Sequence, residues 1–432
     1  MVRPGRAVLA ACAAGLLLAP ALAGTVPARA GTAGLPGPRP GCPPHQGIAA
    51  PASVPWPQQA LRFAEVWDQT KGGGVTVAVL DSGVDANPQF GQRVTIGPDL
   101  AGTSPAGIRG SVPPGADCLG HGTAVASIIA AAPVPGIEFT GVAPAARVLS
   151  VKISNTYTFP AMVTPQAIRD AVAFGAGVIN LSLASPEDVP ALRSAVEFAL
   201  RRNVVVVAAA GNDVGPSGVN GTGPFYPAAY PGVLSVGAVG PAGALAGFSD
   251  RLTPVAVTAP GVNVTSAYPG VFPDAYDPVD NGTSFAAAFV SGVAALVRSA
   301  HPRLTAAQVV ARIEATAGGA AGPGTGHGLI DPVRAVTAVL PAELSGAGPA
   351  AGASQAGQAA QAGQAGQPGR GGQAKHPRAV ASAGSPARTV IVAVIAGSFG
   401  LVIVVVTAVL AVTAARRRRP PGAHRARRAG PL

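Results

Sequence analysis

The chain has 432 residues, with 58 Gly, 44 Pro, 48% hydrophobic and only 11% charged residues, and a formal net charge of +11. That charge is segregated: Arg416 to Arg419, Arg425, Arg427 and Arg428 close the chain, Arg3, Arg6 and Arg29 lie at its start, and Arg370, Lys375, Arg378 and Arg388 fall in a low-complexity stretch. The remainder is slightly acidic, which excludes a nucleic-acid partner as the source of the basic balance and makes it a signature of membrane topology.

Residues 1–30 read as a secretory signal peptide. Arg3 and Arg6 form its basic region, AVLAACAAGLLLAPALA (7–23) its apolar core, and Ala21-Leu22-Ala23 a cleavage site ahead of Gly24, with Ala28-Arg29-Ala30 as a second. The alternative, an uncleaved anchor, is disfavoured by the short apolar run and by Pro20. A Pro-rich extension, 31–58, follows. Cys12 leaves with the signal, so Cys42 and Cys118 remain as an even pair outside the cytoplasm, and a disulfide between them is expected. It would tie the extension to the loop ahead of Gly120. Neither cysteine has a second Cys at ligand spacing, which argues against a metal pair.

Residues 59–342 are long enough for one sizeable domain. Apolar β-rich runs at 74–81, 146–154, 176–184, 204–211 and 232–240 predict strands, and Ala-rich segments at 123–132, 164–175, 188–202, 285–300 and 305–317 predict helices. Strands apolar throughout are covered on both faces, and their alternation with helices predicts an α/β domain with a mainly parallel central sheet. The stretch 343–388 reads as a flexible linker, because its 345–373 portion has no acidic or aromatic residue and an imperfect Gln-Ala-Gly repeat. TVIVAVIAGSFGLVIVVVTAVLAV (389–412) is uncharged and, as a helix, about 36 Å long, enough to cross a bilayer. The Arg-rich tail, 413–432, then places itself in the cytoplasm and everything before residue 389 outside.

In a parallel sheet the chemistry lies beyond the carboxyl ends of the strands. Asp81 ends the first strong strand in VAVLDSGVD, His121 stands between two glycines in CLGHGTAVASI, Asn212 follows a strand in VVAAAGNDVG, and Ser284 opens a helix in DNGTSFAAA. Each has a bland reading: Asp81 and Asn212 as turn residues, His121 as a surface or capping histidine, Ser284 as an N-cap. Turn chemistry alone does not account for an acid, a base and a hydroxyl appearing together with Gly framing His121 and preceding Ser284. Glycine permits close backbone approach to a bound peptide.

These motifs and their Asp, His, Ser order resemble the subtilisin-like serine proteases over roughly 60–340, and GTGHGLIDPVRAV (324–336) is similar to the segment that closes their catalytic domain. The secreted, tethered layout with Cys42 in a Pro-rich extension is most similar to the mycosins, membrane-anchored subtilases associated with type VII secretion in actinobacteria. The resemblance implies a subtilisin-like three-layer α/β fold and peptide-bond hydrolysis. Ser284 would be the nucleophile, His121 the base, Asp81 its orienter and Asn212 an oxyanion donor. Leu181, Ser182, Leu183, Ala209, Ala210 and Gly211 would line the substrate cleft, with buried strand residues as the equal alternative. It implies protein substrates, secretion-complex partners and no cofactor. Calcium is unsupported, since the loops 213–223 and 272–282 suit turns better than a carboxylate cage. One departure from the family is Ala288, where a Pro is usual, with an expected effect on helix geometry near Ser284. Asn-x-Ser/Thr matches at Asn180, Asn220, Asn263 and Asn281 read as coincidence. The competing function is a structural component of the secretion membrane complex whose turnover is dispensable. An α/β-hydrolase esterase is excluded, because Ser284 lacks the Gly-x-Ser-x-Gly frame and the acid precedes it.

Overall fold

Val-rich runs form the centre of the domain. In a computed structural model, residues 42, 47–102, 113–156, 160–212, 224–270, 274–319 and 321–341 are described. The chain divides into two units, Met1–Gly357 and Gln358–Leu432, and all described residues belong to the first. The expected signal peptide, linker, membrane helix and Arg-rich tail lie outside them.

Strands β1 (Thr76–Asp81), β2 (Val94–Asp99), β3 (Arg147–Lys152), β4 (Val178–Leu181), β5 (Val205–Ala209), β6 (Leu234–Val239) and β7 (Val257–Pro260) form one sheet in the order β2-β3-β1-β4-β5-β6-β7. Every neighbouring pair is parallel. Side chains alternate between the faces of a strand. Val77 and Val79 of β1 accordingly join a core with α2 (His121–Ala130), α5 (Thr283–Ala300), α6 (Ala306–Thr316) and α7 (Pro332–Thr337). Ala78 and Leu80 join the other, with α3 (Thr164–Ala173) and α4 (Pro190–Arg201). This is the three-layer α/β architecture expected from the sequence. The order of strands reverses at β1, so the crevice beyond the ends of β1 and β4 is the topological switch point of the sheet.

Helix α5 is apolar and long enough to cross a membrane, but it is the core helix, packed against β4 to β7. Its small residues permit that. A Cβ on Gly292 would come within 2.6 Å of Val142 Cβ. Through Ala288 the helix is continuous, as Ala, the strongest helix former, allows.

Four further elements carry weaker local signals: α1 (Trp56–Leu61), a 3₁₀ turn (Phe63–Val66), and a two-stranded antiparallel ribbon of β8 (Val264–Ala267) and β9 (Tyr276–Asp280). The extension is bound to the domain at several points. Cys42 and Cys118 are joined by a disulfide with Cα atoms 5.0 Å apart. Ile48 exchanges backbone hydrogen bonds with Tyr276, and the Gln58 side chain bonds Glu138 O and Thr140 N. The bridge closes a separation of 76 residues. Replacing both Cys42 and Cys118 by Ser is therefore expected to lower unfolding free energy by about 2–4 kcal/mol, read from the denaturant midpoint.

Candidate active site

β1 ends on Asp81, and the chain turns at once, so its carboxylate faces the crevice. Asp81 Oδ1 accepts the Ser82 amide at 2.7 Å and lies 2.7 Å from His121 Nδ1. A carboxylate only accepts, so Nδ1 carries the proton and the neutral ring keeps a lone pair at Nε2. His121 begins α2, two residues before the predicted helix. Gly120, at φ 83°, provides no side-chain cap, and Asp117 does the capping instead. Its Oδ1 accepts Gly120 N, Leu119 N and Ser82 Oγ, and its Oδ2 accepts Thr123 N and Oγ1. A Cβ on Gly122 would stand 2.0 Å from Gly83 O and 3.1 Å from Asp81 Cβ. The bare glycine is what lets α2 close onto the end of β1.

Burial alone would lower the His121 pKa. The Asp81 charge and hydrogen bond, with Asp117 and Asp280 further off, outweigh it, and the net shift is upward from the ordinary value of 6.5. The Asp81–His121 pair thus stabilises an imidazolium, the state a base enters when it takes a proton.

Gly282 occupies the N-cap position of α5, so Ser284 is not the cap. It sits in the first turn, where backbone N–H groups have no intrahelical partner. The Ser284 hydroxyl lies 3.1 Å from Ser182 O. Asn212 Oδ1 accepts Thr283 N at 3.0 Å and Thr283 Oγ1 at 2.9 Å. A backbone N–H can only donate, so the atom facing it is the oxygen, and the Asn212 NH₂ is directed away from Thr283. Asp81, His121, Asn212 and Ser284 all line one cleft of about 730 Å³.

Ser182, Leu183, Ala209 and Gly211 line the same cleft, whereas Leu181 and Ala210 do not. Alternation at the strand ends turns the Leu181 side chain into the core beside α3 and α4. Ala210 is fully buried, its N–H given to Val236 O and its carbonyl accepting Thr253 Oγ1. The loop 213–223 lies outside the described residues. Among the described residues no group of three or more His, Cys, Asp or Glu is placed to hold a metal ion.

A sequence profile for the subtilase family matches residues 72–361. The chain belongs to the subtilase family. Mycosin-1 of Mycobacterium tuberculosis is 36% identical over 343 residues, covering 66% of this chain and 74% of its own length. The crystal structure of MycP1 with the N-terminal propeptide removed has a TM-score of 0.55 and 35% identity, over 67% of this chain and 98% of that one. A chain of an intact ESX-5 inner membrane complex has a TM-score of 0.57 and 27% identity, over 88% of this chain and 95% of that one. This subtilase is a serine endopeptidase, and it is mycosin-like.

Three buried groups of the subtilase site escaped sequence reasoning. Asn180, read there as a chance match, donates to Ser182 Oγ at 2.8 Å and accepts Ser291 Oγ at 2.8 Å. Ser182 Oγ in turn donates to Ser284 O. These bonds lock β4 to the first turns of α5 and so position the Ser284 backbone. Asp117 does the same for the His121 loop. Asp280, at the end of β9, lines the cleft beside them. An Asp four residues before a helix was the one available signal for Asp117; nothing local marked the other two.

Proposed function

We propose that Ser284, His121 and Asp81 are the nucleophile, base and orienting acid of this endopeptidase. The observation that carries the reading is the 2.7 Å contact between Asp81 and His121 Nδ1 in the cleft that also holds Ser284 and Asn212. On substrate binding the Ser284 hydroxyl, free to rotate, turns from Ser182 O to His121 Nε2. Oγ attacks the peptide carbonyl as Nε2 takes its proton, and the carbonyl becomes an oxyanion. The Asn212 NH₂ and the Ser284 N–H donate to that oxygen. His121 then returns the proton to the leaving amine, and water repeats the cycle on the acyl-enzyme. Side chains and backbone suffice, and no cofactor enters the reaction. Extended substrate would run past Ser182, Leu183, Ala209 and Gly211.

The protease works outside the cytoplasmic membrane, held by the helix 389–412, with its Arg-rich tail in the cytoplasm, as a partner of a type VII secretion membrane complex acting on protein substrates. Supporting this are the flanking charges and the likeness to a chain of an ESX-5 inner membrane complex, whose 88% coverage exceeds what residues 59–342 supply. The same likeness favours a second reading, a structural part of that complex whose turnover is dispensable. Fluorophosphonate labelling of the full chain tests the site: labelling absent from wild type under oxidising conditions would sink it. Export restored in full by Ser284→Ala would make the structural role the main one.

Asn212→Ala is expected to reduce kcat by about 10²–10³, a range drawn from a subtilisin side-chain donor, with KM changed far less. Thr283→Val keeps its N–H but loses the hydroxyl that orients Asn212. A fall in kcat of about fivefold is expected, the worth of one neutral hydrogen bond. Steady-state kinetics on one peptide reads both.

A further inference from the structure

The cleft holds one carboxylate that the proposed triad does not use. Asp280 is buried and lines the cleft four residues ahead of Ser284. Its oxygens accept the Ser266 hydroxyl and, at 3.1 Å, the Tyr268 hydroxyl. Both donors are neutral, and no Lys or Arg among the described residues pairs with it. Nor does any Lys or Arg among the described residues line the cleft, and Asp81 is already engaged by His121. Asp280 is therefore an uncompensated negative charge in a partly dehydrated wall, an arrangement that is unfavourable until a cation arrives.

Its place in the fold says which part of a substrate meets it. The β8–β9 ribbon is bonded to α2 through Ala267 N and Ser127 Oγ at 2.9 Å. Asp280 thus belongs to the wall that carries His121, and its charge is felt there. Ser182, Leu183, Ala209 and Gly211 line the cleft beyond the ends of β4 and β5. His121 hands its proton to the leaving amine, so the residues after the scissile bond leave along the Asp280 wall.

We propose that Asp280 makes this protease selective for a Lys or Arg side chain immediately after the scissile bond, the cation pairing with the Asp280 carboxylate. This rests on the reading of Asp81, His121 and Ser284 as the reacting centre. Burial pushes the Asp280 carboxyl up to about 6, with the Asp277 charge adding to the rise and the Ser266 and Tyr268 hydrogen bonds and the His121 charge opposing it. The selectivity therefore belongs to neutral and alkaline pH and fades in acid.

The test uses the full chain in detergent micelles and four fluorogenic peptides differing only in the residue after the scissile bond: Lys, Arg, Gln or Glu. At about pH 8 and low salt, kcat/KM for Lys and Arg is expected to exceed that for Glu by about tenfold or more, typical of a partly desolvated charge pair. Asp280→Asn is expected to bring that ratio to within about twofold, since the charge is gone. The Lys-to-Gln ratio of wild type is expected to fall toward one as pH drops below the Asp280 pKa. A ratio cancels the titration of His121, which acts on both peptides alike, so this measurement decides the matter even if Asp280→Asn does not fold. A Lys-to-Glu ratio near one in wild type, a ratio unmoved in Asp280→Asn, or an enzyme that labels with fluorophosphonate yet cleaves none of the four overturns the selectivity alone. Absence of labelling overturns the reading of the site, and the selectivity with it.

Discussion

Ser284→Ala is expected to remove peptide hydrolysis almost entirely, by about 10⁶ in kcat, the loss recorded when a subtilisin nucleophile is deleted. The substitution keeps the Ser284 backbone N–H and leaves Asn212 untouched, so both donors of the proposed oxyanion site survive, but no covalent intermediate can form. Fluorophosphonate labelling should vanish in parallel. The folding cost should be small: among the described residues the hydroxyl's hydrogen bond is to Ser182 O, and both residues line the cleft, where water can replace that bond. Single-turnover kinetics and a denaturant midpoint on the same preparation check both statements. Undiminished turnover in the variant would place the chemistry elsewhere.

Asp81→Asn is expected to cost about 10⁴ in kcat with little change in geometry. An Asn amide facing Nδ1 can donate, which favours the tautomer protonated at Nε2 and removes the lone pair that accepts the Ser284 proton. The pH profile separates this from simple misfolding. The acid limb of kcat/KM reports the base of the free enzyme. In wild type, Asp81 overrides burial and lifts His121 above 6.5, so activity is lost as pH falls through a value above 6.5. In the variant the burial contribution remains while the Asp81 charge and bond are gone. The residual activity should therefore persist to lower pH. A limb that stays in place would mean that Asp81 does not set the protonation of His121.

The five predicted strands and five predicted helices are all present, with ends shifted by at most three residues. Long apolar runs such as VVVVAAAG (204–211) allow few alternatives once both faces must be covered. Strands β2, β7, β8 and β9 were not legible. VTIGPD and YDPVD contain Gly, Pro or Asp, poor strand formers, and VTAP and VTSA are four residues long. Their strand state comes from a neighbour already in place, β3 for β2 and β6 for β7. The start of α2 was misjudged for a related reason. Its cap is Asp117, four residues before the helix, rather than the residue at its edge.

By itself, the sequence determined the layer architecture, the four motif residues, the pairing of Cys42 with Cys118 and the family. Each of these depends on composition, on periodicity over a few residues, or on short motifs that carry their own chemistry. Tertiary structure alone decided which atoms of those residues face the cleft. Thr283 turns the Asn212 amide outward across 71 positions, Asn180 and Ser182 hold α5 from more than 100 positions away, and a ribbon of weak strands brings Asp280 into the cleft that holds His121. Those placements are hydrogen bonds and packing contacts between distant segments, and no local propensity encodes them. They arise only when the sheet brings the ends of β1, β4 and β5 to one edge and lays α2 and α5 across it.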